Sequence, residues 1–194
     1  MSKVTLNLTW NTPPEWASYI LEQFDPFLID HANCERKASA LAMSMVVKYN
    51  DRVEIIEPLI DLAREELEHF HQVYQLMEQR GLRIAADTKD PYVNELLALS
   101  RSRSEERFLD RMLISSLIET RGAERFRLIS DALEDDALKK FYRTLWACEA
   151  KHGNLFAGLA LNYFDEAELY GRLEELTRAE GEILKEMTWR ASLH

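Results

Sequence analysis

The stretch LAREELEHFHQV, Leu62–Val73, places two ionisable side chains on the apolar face of a predicted helix. Glu66 and His69 are three residues apart, so they lie on the same side of the helix as Leu62 and Val73. Burying a carboxylate and an imidazole is unfavourable unless they are paired or bind a metal ion. The stretch therefore predicts a buried helix that carries metal ligands.

A second stretch, CEAKHG, repeats this pattern, with Glu149 and His152 on the apolar stripe of a later helix. Another glutamate precedes each Glu-x-x-His at a similar interval. Glu35 lies 31 residues before Glu66, and Glu119 lies 30 residues before Glu149. In a helical hairpin, this separation brings a residue of the first helix to the height of its partner on the second. The sequence therefore predicts two similar helical hairpins, each with a Glu and a Glu-x-x-His.

Few residues in this chain interrupt helices, since its 194 residues include only 6 Gly and 5 Pro, and no proline follows Pro91. Helical periodicity predicts four long helices, a short helix in the connection between the second and third, and helical segments near both ends. We therefore predict an all-α four-helix bundle with a long crossover, formed by a single domain over residues 1–194. The predicted segments are Glu15–Leu21, Asp25–Tyr49, Glu57–Arg80, a helix entered at Asp90–Pro91, Ser104–Ser130, Glu134–Asn162 and Asp165–Trp189, with Asp25 as an N-cap and Asp165 with Glu168 as a capping box.

The two copies together supply four carboxylates and two imidazoles. One Glu from each of two helices and a Glu-x-x-His from each of the other two form the ligand set of ferritin-like di-iron and di-manganese proteins. Imidazole suits iron, carboxylates are hard oxygen ligands that can bridge two ions, and four glutamates balance two divalent charges. We therefore expect a ferritin-like fold that binds two iron ions per chain through Glu35, Glu66, His69, Glu119, Glu149 and His152.

The ligand from the third long helix has an alternative. Glu119 and Glu124 are five residues apart, about 140° around a helix, so both cannot face the same site. Glu119 preserves the interval of about thirty residues and is preferred, while Glu124 stays open as the ligand or as a residue beside the ligands. His31 lies one turn before Glu35, where it is expected either to support that ligand or to be a core histidine.

Composition and charge limit the classes of function. The net charge of −10 argues against a broad nucleic-acid-binding surface but allows a local basic patch. Two cysteines cannot form a disulfide framework, and the sequence shows neither a signal peptide nor an apolar stretch long enough for a bilayer span. We therefore expect a cytoplasmic protein without a membrane partner. Nothing resembles a Ser/His/Asp triad, a phosphate loop or a CxxC zinc site.

Four stretches of the chain carry a family resemblance: LIDHANCERKASALAMSM (28–45), LAREELEHFHQV (62–73), LIETRGAERF (117–126) and WACEAKHGNLF (146–156). They resemble the bacterial tRNA 2-methylthio-N6-isopentenyladenosine hydroxylases, and the resemblance covers all four long helices, about residues 25–165. It implies a non-haem di-iron monooxygenase that uses O2 and an external electron donor. Its implied substrate is the isopentenyl side chain of a hypermodified adenosine beside the tRNA anticodon, and the implied iron ligands are the same six residues.

A tRNA substrate requires cationic side chains near the site, into which the modified base would be extruded. Candidate tRNA contacts come from two local basic groups, Arg101, Arg103 and Arg107 in one and Lys139, Lys140 and Arg143 in the other. Two alternatives stay open. A di-iron enzyme that acts on a small or lipid-like molecule would have an apolar channel without flanking arginines. A non-catalytic iron-binding protein would assemble into a large hollow oligomer.

Overall fold

The computed structural model describes residues 6–86 and 88–194. Within these residues the chain forms seven α-helices and no β-strand, which agrees with the predicted all-α class. Over the same residues, none of the helices combines the length and the apolar composition needed to cross a membrane. The helices are α1 (Glu15–Glu22), α2 (Phe24–Lys48), α3 (Val53–Gln79), α4 (Pro91–Ala98), α5 (Ser104–Ala132), α6 (Asp136–Ala160) and α7 (Glu166–Glu186).

The chain divides into two compact units. The first comprises the chain up to Ser18, Lys89–Trp189 and His194, and it contains α4 to α7. The second comprises Tyr19–Thr88 and Arg190–Leu193, and it contains α2 and α3. Each unit is therefore built around one of the two hairpins that the sequence predicts.

The second unit is a hairpin in which α2 and α3 run antiparallel. Ser39 Oγ on α2 donates a hydrogen bond to the backbone oxygen of Ala63 on α3, at 2.7 Å, and this contact fixes how the two helices are aligned. Ile55 and Leu59 of α3 are fully buried. Burial of such aliphatic side chains contributes roughly 1.5–3 kcal/mol each, so packing rather than helix propensity holds the hairpin together.

In the first unit α5 and α6 form the corresponding hairpin, and two contacts bring their backbones close together. Ser116 Oγ on α5 accepts a hydrogen bond from the backbone N–H of Ala157 on α6, at 2.9 Å. Gly153 lies against Thr120, where a Cβ atom would come within 3.0 Å of Thr120 Oγ1 and 3.3 Å of its backbone nitrogen. Only glycine fits at this crossing without displacing one helix.

A buried group of charged side chains joins α5 to α7 and to the segment before α1. The guanidinium of Arg121 binds both oxygens of Glu180, at 2.8 and 2.9 Å, and one oxygen of Glu124, at 2.6 Å. Glu124 also accepts hydrogen bonds from the backbone N–H and the hydroxyl of Thr12, both at 2.7 Å. The phenol of Tyr92 donates to Glu180 at 3.1 Å. We call these residues, together with Arg125, the Arg121 cluster.

The charges in the Arg121 cluster shift one another's protonation equilibria. Burial opposes the charged form of Arg121, but the hydrogen bonds and charges of Glu180 and Glu124 raise its pKa above the usual value. Burial, followed by the neighbouring charge of Arg121, lowers the pKa of Arg125 to about 10. Burial is also the main reason that the pKa of Tyr92 is well above its ordinary value. At neutral pH both arginines therefore stay protonated and the phenol stays neutral.

The helix boundaries include three corrections to the sequence prediction. Asp25 is not the N-cap of α2, because the helix begins at Phe24 after Gln23, and the Asp25 carboxylate instead pairs with Arg80 at 2.6 Å. α3 begins four residues before Glu57, so Pro58 lies inside the helix rather than at its start. No side-chain hydrogen bond caps α7, so the predicted capping box at Asp165 does not form.

Two other predicted helix boundaries, the start of α4 and the end of α3, agree with the structure. Asp90 caps α4, with its carboxylate accepting from the backbone nitrogens of Tyr92 and Val93. Gly81 follows α3 with a φ of 70°, a left-handed conformation that glycine adopts readily.

Candidate metal centre

The second unit brings together three of the predicted ligands, Glu35 from α2 and Glu66 and His69 from α3. Each offers a ligand atom, and these atoms lie within 4.8 Å of one another. His69 Nδ1 is 3.6 Å from Glu35 Oε2 and 3.5 Å from Glu66 Oε2. The three residues are 3%, 1% and 7% exposed, so their charges are shielded from water. We call them the α2–α3 half-site.

The alignment of the hairpin explains this convergence. Ser39 contacts Ala63, and in an antiparallel pair each step back along α2 corresponds to a step forward along α3. Glu35 lies about one turn before Ser39, and Glu66 lies about one turn after Ala63, so the two carboxylates reach the same height. The interval of 31 residues is therefore the separation that places Glu35 and Glu66 side by side in the hairpin.

His31 supports the α2–α3 half-site from one turn away on α2. It is fully buried, and its Nε2 lies 2.6 Å from Glu35 Oε1, so the imidazole donates to the carboxylate. Its ring stacks on Phe27, with centroids 5.7 Å apart. A histidine held in this way restricts the rotation of Glu35 and fixes which of its oxygens faces His69.

The first unit brings together the other three predicted ligands, Glu119 from α5 and Glu149 and His152 from α6. Their ligand atoms also lie within 4.8 Å of one another, and His152 Nδ1 is 3.4 Å from Glu149 Oε2. Glu149 and His152 are 3% and 4% exposed. The close contact between Gly153 and Thr120 sets the alignment, since these two residues directly follow His152 and Glu119. We call this group the α5–α6 half-site.

The alternative residue on α5 lies elsewhere. Glu124 belongs to the Arg121 cluster, where Thr12 and Arg121 use both of its carboxylate oxygens. The turn of about 140° between positions 119 and 124 directs the two glutamates to different partners. Glu119 therefore shares a site with Glu149 and His152, whereas Glu124 stabilises the packing of the N-terminal segment.

The donor set of each half-site fits a divalent transition metal. Two carboxylates and one imidazole are the ligand types that iron and manganese accept, and burial shields the ligands from competition with water. Two anionic carboxylates and a neutral imidazole carry a charge of −2, which balances one divalent ion in a low-dielectric environment. Both buried clusters can therefore hold a metal, and each repeats the composition of the other.

The two basic groups predicted to contact tRNA lie at different places in the first unit. The first group is at the beginning of α5 and the second at the beginning of α6, so the antiparallel hairpin places them at opposite ends. Arg101 is engaged there by Asp110, with its Nη2 2.8 Å from Oδ1. Lys139, Lys140 and Arg143 are exposed.

Asp110 shows why Arg101 has a structural role, whereas Arg103 and Arg107 of the same group are exposed. Burial would raise the pKa of Asp110, but hydrogen bonds from Arg101 and Arg172 lower it below the usual value. Arg172 Nη2 also donates to the backbone oxygen of Leu99, at 2.8 Å. These bonds attach the connection before α5 to α7, so Arg101 holds the fold together at this point.

Sequence reasoning missed the residues that position the α5–α6 half-site. Gly153 stands in the middle of a helix, where glycine is less favourable than alanine by about 1 kcal/mol, and that placement signals close packing. Ser116 carries no such signal, because a buried serine looks like any small residue in a helix. The partners in the Arg121 cluster, up to 112 residues apart, cannot be paired from one sequence.

Comparison with known proteins gives concordant results. The curated tRNA 2-(methylsulfanyl)-N(6)-isopentenyladenosine(37) hydroxylase of Pseudomonas putida is 36% identical over 174 residues, covering 90% of this chain and 84% of that protein. The protein of the same name from Salmonella typhimurium is 29% identical over 126 residues, covering 59% and 46%. The solved structure of a Synechococcus protein described as having aldehyde deformylating oxygenase activity superposes with a TM-score of 0.91 at 34% identity, covering 96% of this chain and 94% of that one.

The fold and the family follow from these comparisons. The structural match confirms the predicted all-α, ferritin-like fold class. The family described as tRNA-(MS[2]IO[6]A)-hydroxylase (MiaE) matches residues 1–194, the whole length of the chain. The chain belongs to this tRNA hydroxylase family.

Proposed function

We propose that this protein is a di-iron monooxygenase that hydroxylates the isopentenyl side chain of 2-methylthio-N6-isopentenyladenosine next to the tRNA anticodon. The observation that carries the proposal is the repeated half-site, two carboxylates and one imidazole in each hairpin, in a chain that matches a tRNA hydroxylase family over its whole length. The names of the curated relatives support the substrate. A tRNA substrate also supports a cytoplasmic location.

We propose further that both half-sites belong to one dinuclear centre within a single domain over residues 1–194. Charge supports this arrangement, because four carboxylates balance two divalent ions inside an apolar interior. The matching intervals of 31 and 30 residues support it as well, since they give both half-sites the same position along their hairpins. The ligands would be Glu35, Glu66, His69, Glu119, Glu149 and His152.

The protein's own residues would bind, orient and shield the centre. His31 donates to Glu35 and holds the carboxylate in one orientation. Ser116 and Gly153 fix the alignment of α5 and α6, and with it the separation of Glu119 from His152. Apolar residues on the inner faces, such as Leu62, exclude water from the ligands.

The bound iron pair would supply the redox chemistry for which the side chains have no equivalent, the use of O2 to oxidise an unactivated C–H bond. In the balanced reaction, a C–H bond of the isopentenyl group becomes C–OH. One oxygen atom of O2 enters the product and the other leaves as water. Two electrons and two protons are required, and we propose that an external redox partner delivers the electrons.

The first test is metal content, because it reports on the site independently of activity. We expect two irons per chain and a ferric absorption band in the wild type, and loss of the band in Glu66→Ala and Glu149→Ala. Glu68→Ala is the matched control, since Glu68 and His71 form the same Glu-x-x-His pattern on the solvent face, with both side chains 61% exposed. Iron content equal in all four proteins would refute the assignment of the site.

The second test is the reaction itself. Wild-type protein supplied with iron, an electron donor and O2 should convert tRNA that carries the isopentenylated adenosine into its hydroxylated form, detected by mass spectrometry of the nucleosides. The tRNA without the isopentenyl group should be unchanged. A fully iron-loaded protein that leaves the modified tRNA untouched would contradict the proposed substrate.

One observation favours a second candidate. The Synechococcus structure described as having aldehyde deformylating oxygenase activity is 34% identical to this chain over nearly its whole length. A di-iron enzyme acting on a small or lipid-like molecule is therefore the alternative. Consumption of a long-chain aldehyde by the iron-loaded wild type, with no change in modified tRNA, would favour it.

A further inference from the structure

The solvent face of α6 differs in charge from the rest of this acidic protein. It carries Lys139, Lys140, Arg143 and Lys151, all exposed. In the sequence, the only acid between Asp136 and Asp165 is Glu149, which is buried on the opposite face of the helix. A chain with 34 acids and 24 lysines and arginines thus has one long helix whose exposed side is cationic after its first residue, the exposed Asp136.

Only the first two of these cations have an acid one turn away on the helix. Asp136, the first residue of α6, is exposed and precedes Lys139 by three residues and Lys140 by four, a spacing that favours pairing. Arg143 has Lys139 and Lys140 as its neighbours one turn back, so like charges face each other there. Lys139 is the fourth residue of α6, where the partial positive charge of the helix N-terminus disfavours a cation. Arg143 and Lys151 therefore have no acid of their own helix to offset their charge on the exposed side.

Between the basic side chains, the same face carries no large exposed side chain. Its other exposed residues are small or of medium size, Thr144, Ala147, Ala150 and Asn154. The Thr144 hydroxyl donates to the backbone oxygen of Lys140 at 3.0 Å, and the Asn154 amide donates to that of Ala150 at 2.9 Å. Both polar groups are thereby directed at their own helix.

We propose that the solvent face of α6 binds the phosphate backbone of the substrate tRNA, with Lys140, Arg143 and Lys151 as the main contacts. The inference rests on the proposed function and adds where the RNA is held. Phosphate contacts by Lys and Arg supply most of the sequence-independent affinity of a nucleic-acid-binding protein. A row of cations on one helix face, with no exposed acid after Asp136, has the complementary charge.

The helix that carries the basic face also carries two of the proposed metal ligands. Lys151 directly precedes His152, and the basic face and the ligand face are opposite sides of α6, about one helix diameter apart, on the order of 10–12 Å. Because the helix itself lies between the two faces, the phosphates held on the basic face belong to nucleotides other than the one that is extruded into the site. At the beginning of α5, by contrast, Arg101 is bound by the buried Asp110. The exposed Arg103 and Arg107 there have Glu105 and Glu106 beside them in the sequence.

The test compares two triple variants that change the net charge equally. The test variant is Lys140→Gln with Arg143→Gln and Lys151→Gln. The control is Arg64→Gln with Arg178→Gln and Lys185→Gln, three exposed cations that each pair with an acid one turn away. The affinity of iron-loaded protein for tRNA bearing the isopentenylated adenosine is measured from 50 to 200 mM salt. Circular dichroism and iron content verify that both variants fold.

We expect the affinity for tRNA to depend less steeply on salt concentration in the test variant than in the wild type or the control variant. Each phosphate contact adds about 0.7–0.9 to the slope of log K against log salt, so three contacts account for roughly 2–3 units. When the salt concentration rises from 50 to 200 mM, the tRNA affinity of the wild type should therefore fall by a factor about 20 to 40 times larger than the factor for the test variant. The control variant should follow the wild type.

Three other outcomes distinguish an error in the assignment of the tRNA-binding surface from an error in the proposed function. Equal slopes in the two triple variants, while the wild type still binds and hydroxylates the tRNA, would overturn the surface assignment and leave the proposed function standing. Unchanged tRNA binding with slower reduction by an acidic electron-transfer protein would assign the face to the redox partner and overturn the inference. Wild-type protein that neither binds nor hydroxylates the modified tRNA would overturn the proposed function and this inference with it.

Discussion

Replacing Gly153 with alanine should disturb the α5–α6 half-site far more than it disturbs the fold. The added Cβ would lie under 3.0 Å from Thr120 Oγ1 and at 3.3 and 3.4 Å from the backbone nitrogen and Cα of Thr120. Rotation of the threonine side chain relieves the first contact but breaks its 2.7 Å hydrogen bond to the backbone oxygen of Ser116. The backbone contacts remain, so α5 and α6 must separate by a few tenths of an ångström or more.

The stability change is the difference of two opposing effects. Overpacking in a tight core costs about 1–3 kcal/mol, while exchanging glycine for alanine within a helix returns about 0.5–1 kcal/mol. We therefore expect Gly153→Ala to lower the free energy of unfolding by roughly 0–2.5 kcal/mol. The displacement falls between the neighbours of Glu119 and His152, so metal affinity should drop on the order of 10- to 100-fold, as for other changes around metal ligands.

Gly158 provides the matched control on the same helix. Nothing lies within 4 Å of a Cβ built at this position, so Gly158→Ala should stabilise the protein by about 0.5–1 kcal/mol without changing metal binding. Urea denaturation gives the stability, and anaerobic titration with ferrous iron gives the affinity. If Gly153→Ala matches Gly158→Ala in both measurements, the close crossing of α5 and α6 does not position the half-site.

Three further predictions follow from the buried charges. Arg121→Met should cost about 3–5 kcal/mol in urea denaturation, because Glu124 and Glu180 lose their buried cation; an unchanged midpoint would contradict the description of the cluster. The pKa of Asp110 is lowered in the folded state, so its stabilisation is present above the unfolded pKa near 3.8 and is lost as pH falls through the folded value. Asp110→Asn should therefore destabilise at pH 7, with a difference from the wild type that shrinks in acid melts below pH 4; a constant difference would argue against the ion pairs. Ferrous iron at a hundred times its Kd should stabilise the wild type by about 2.7 kcal/mol and thereby raise its melting temperature, but it should not stabilise Glu66→Ala. An equal rise in melting temperature in both proteins would place the metal elsewhere.

Local spacing allowed much of the helical architecture and of the candidate site to be predicted from the sequence. Glu35, Glu66 and His69 could be grouped because a helix repeats its faces at known intervals and a hairpin doubles back at a fixed rise. The same reasoning grouped Glu119 with Glu149. Such arguments need only periodicity within two adjacent helices.

Tertiary packing decided the parts that the sequence did not predict. Pro58 looked like the first residue of a helix, yet α3 begins earlier because Ile55 is fully buried, and its packing outweighs the hydrogen bond that the proline removes. Glu124 could not be distinguished from a ligand because its partners, Thr12 and Arg121, include a residue 112 positions away. Long-range polar pairing of this kind leaves no periodic trace.

The Arg121 cluster also bears on how the first unit folds. Its two arginines and two glutamates balance in charge only when α5 and α7 are both in place, and Glu124 gains the donors of Thr12 only when the N-terminal segment is in place too. A unit without α7 would bury an uncompensated cation, and a unit without the N-terminal segment would leave a buried oxygen of Glu124 without a donor, both of which are unfavourable. Intermediates that lack α7 or the N-terminal segment should therefore be scarcely populated, and the three elements should open together in native-state hydrogen exchange. The buried charges thus make assembly of this unit all-or-none, a cooperativity that an apolar interface of the same size would not impose.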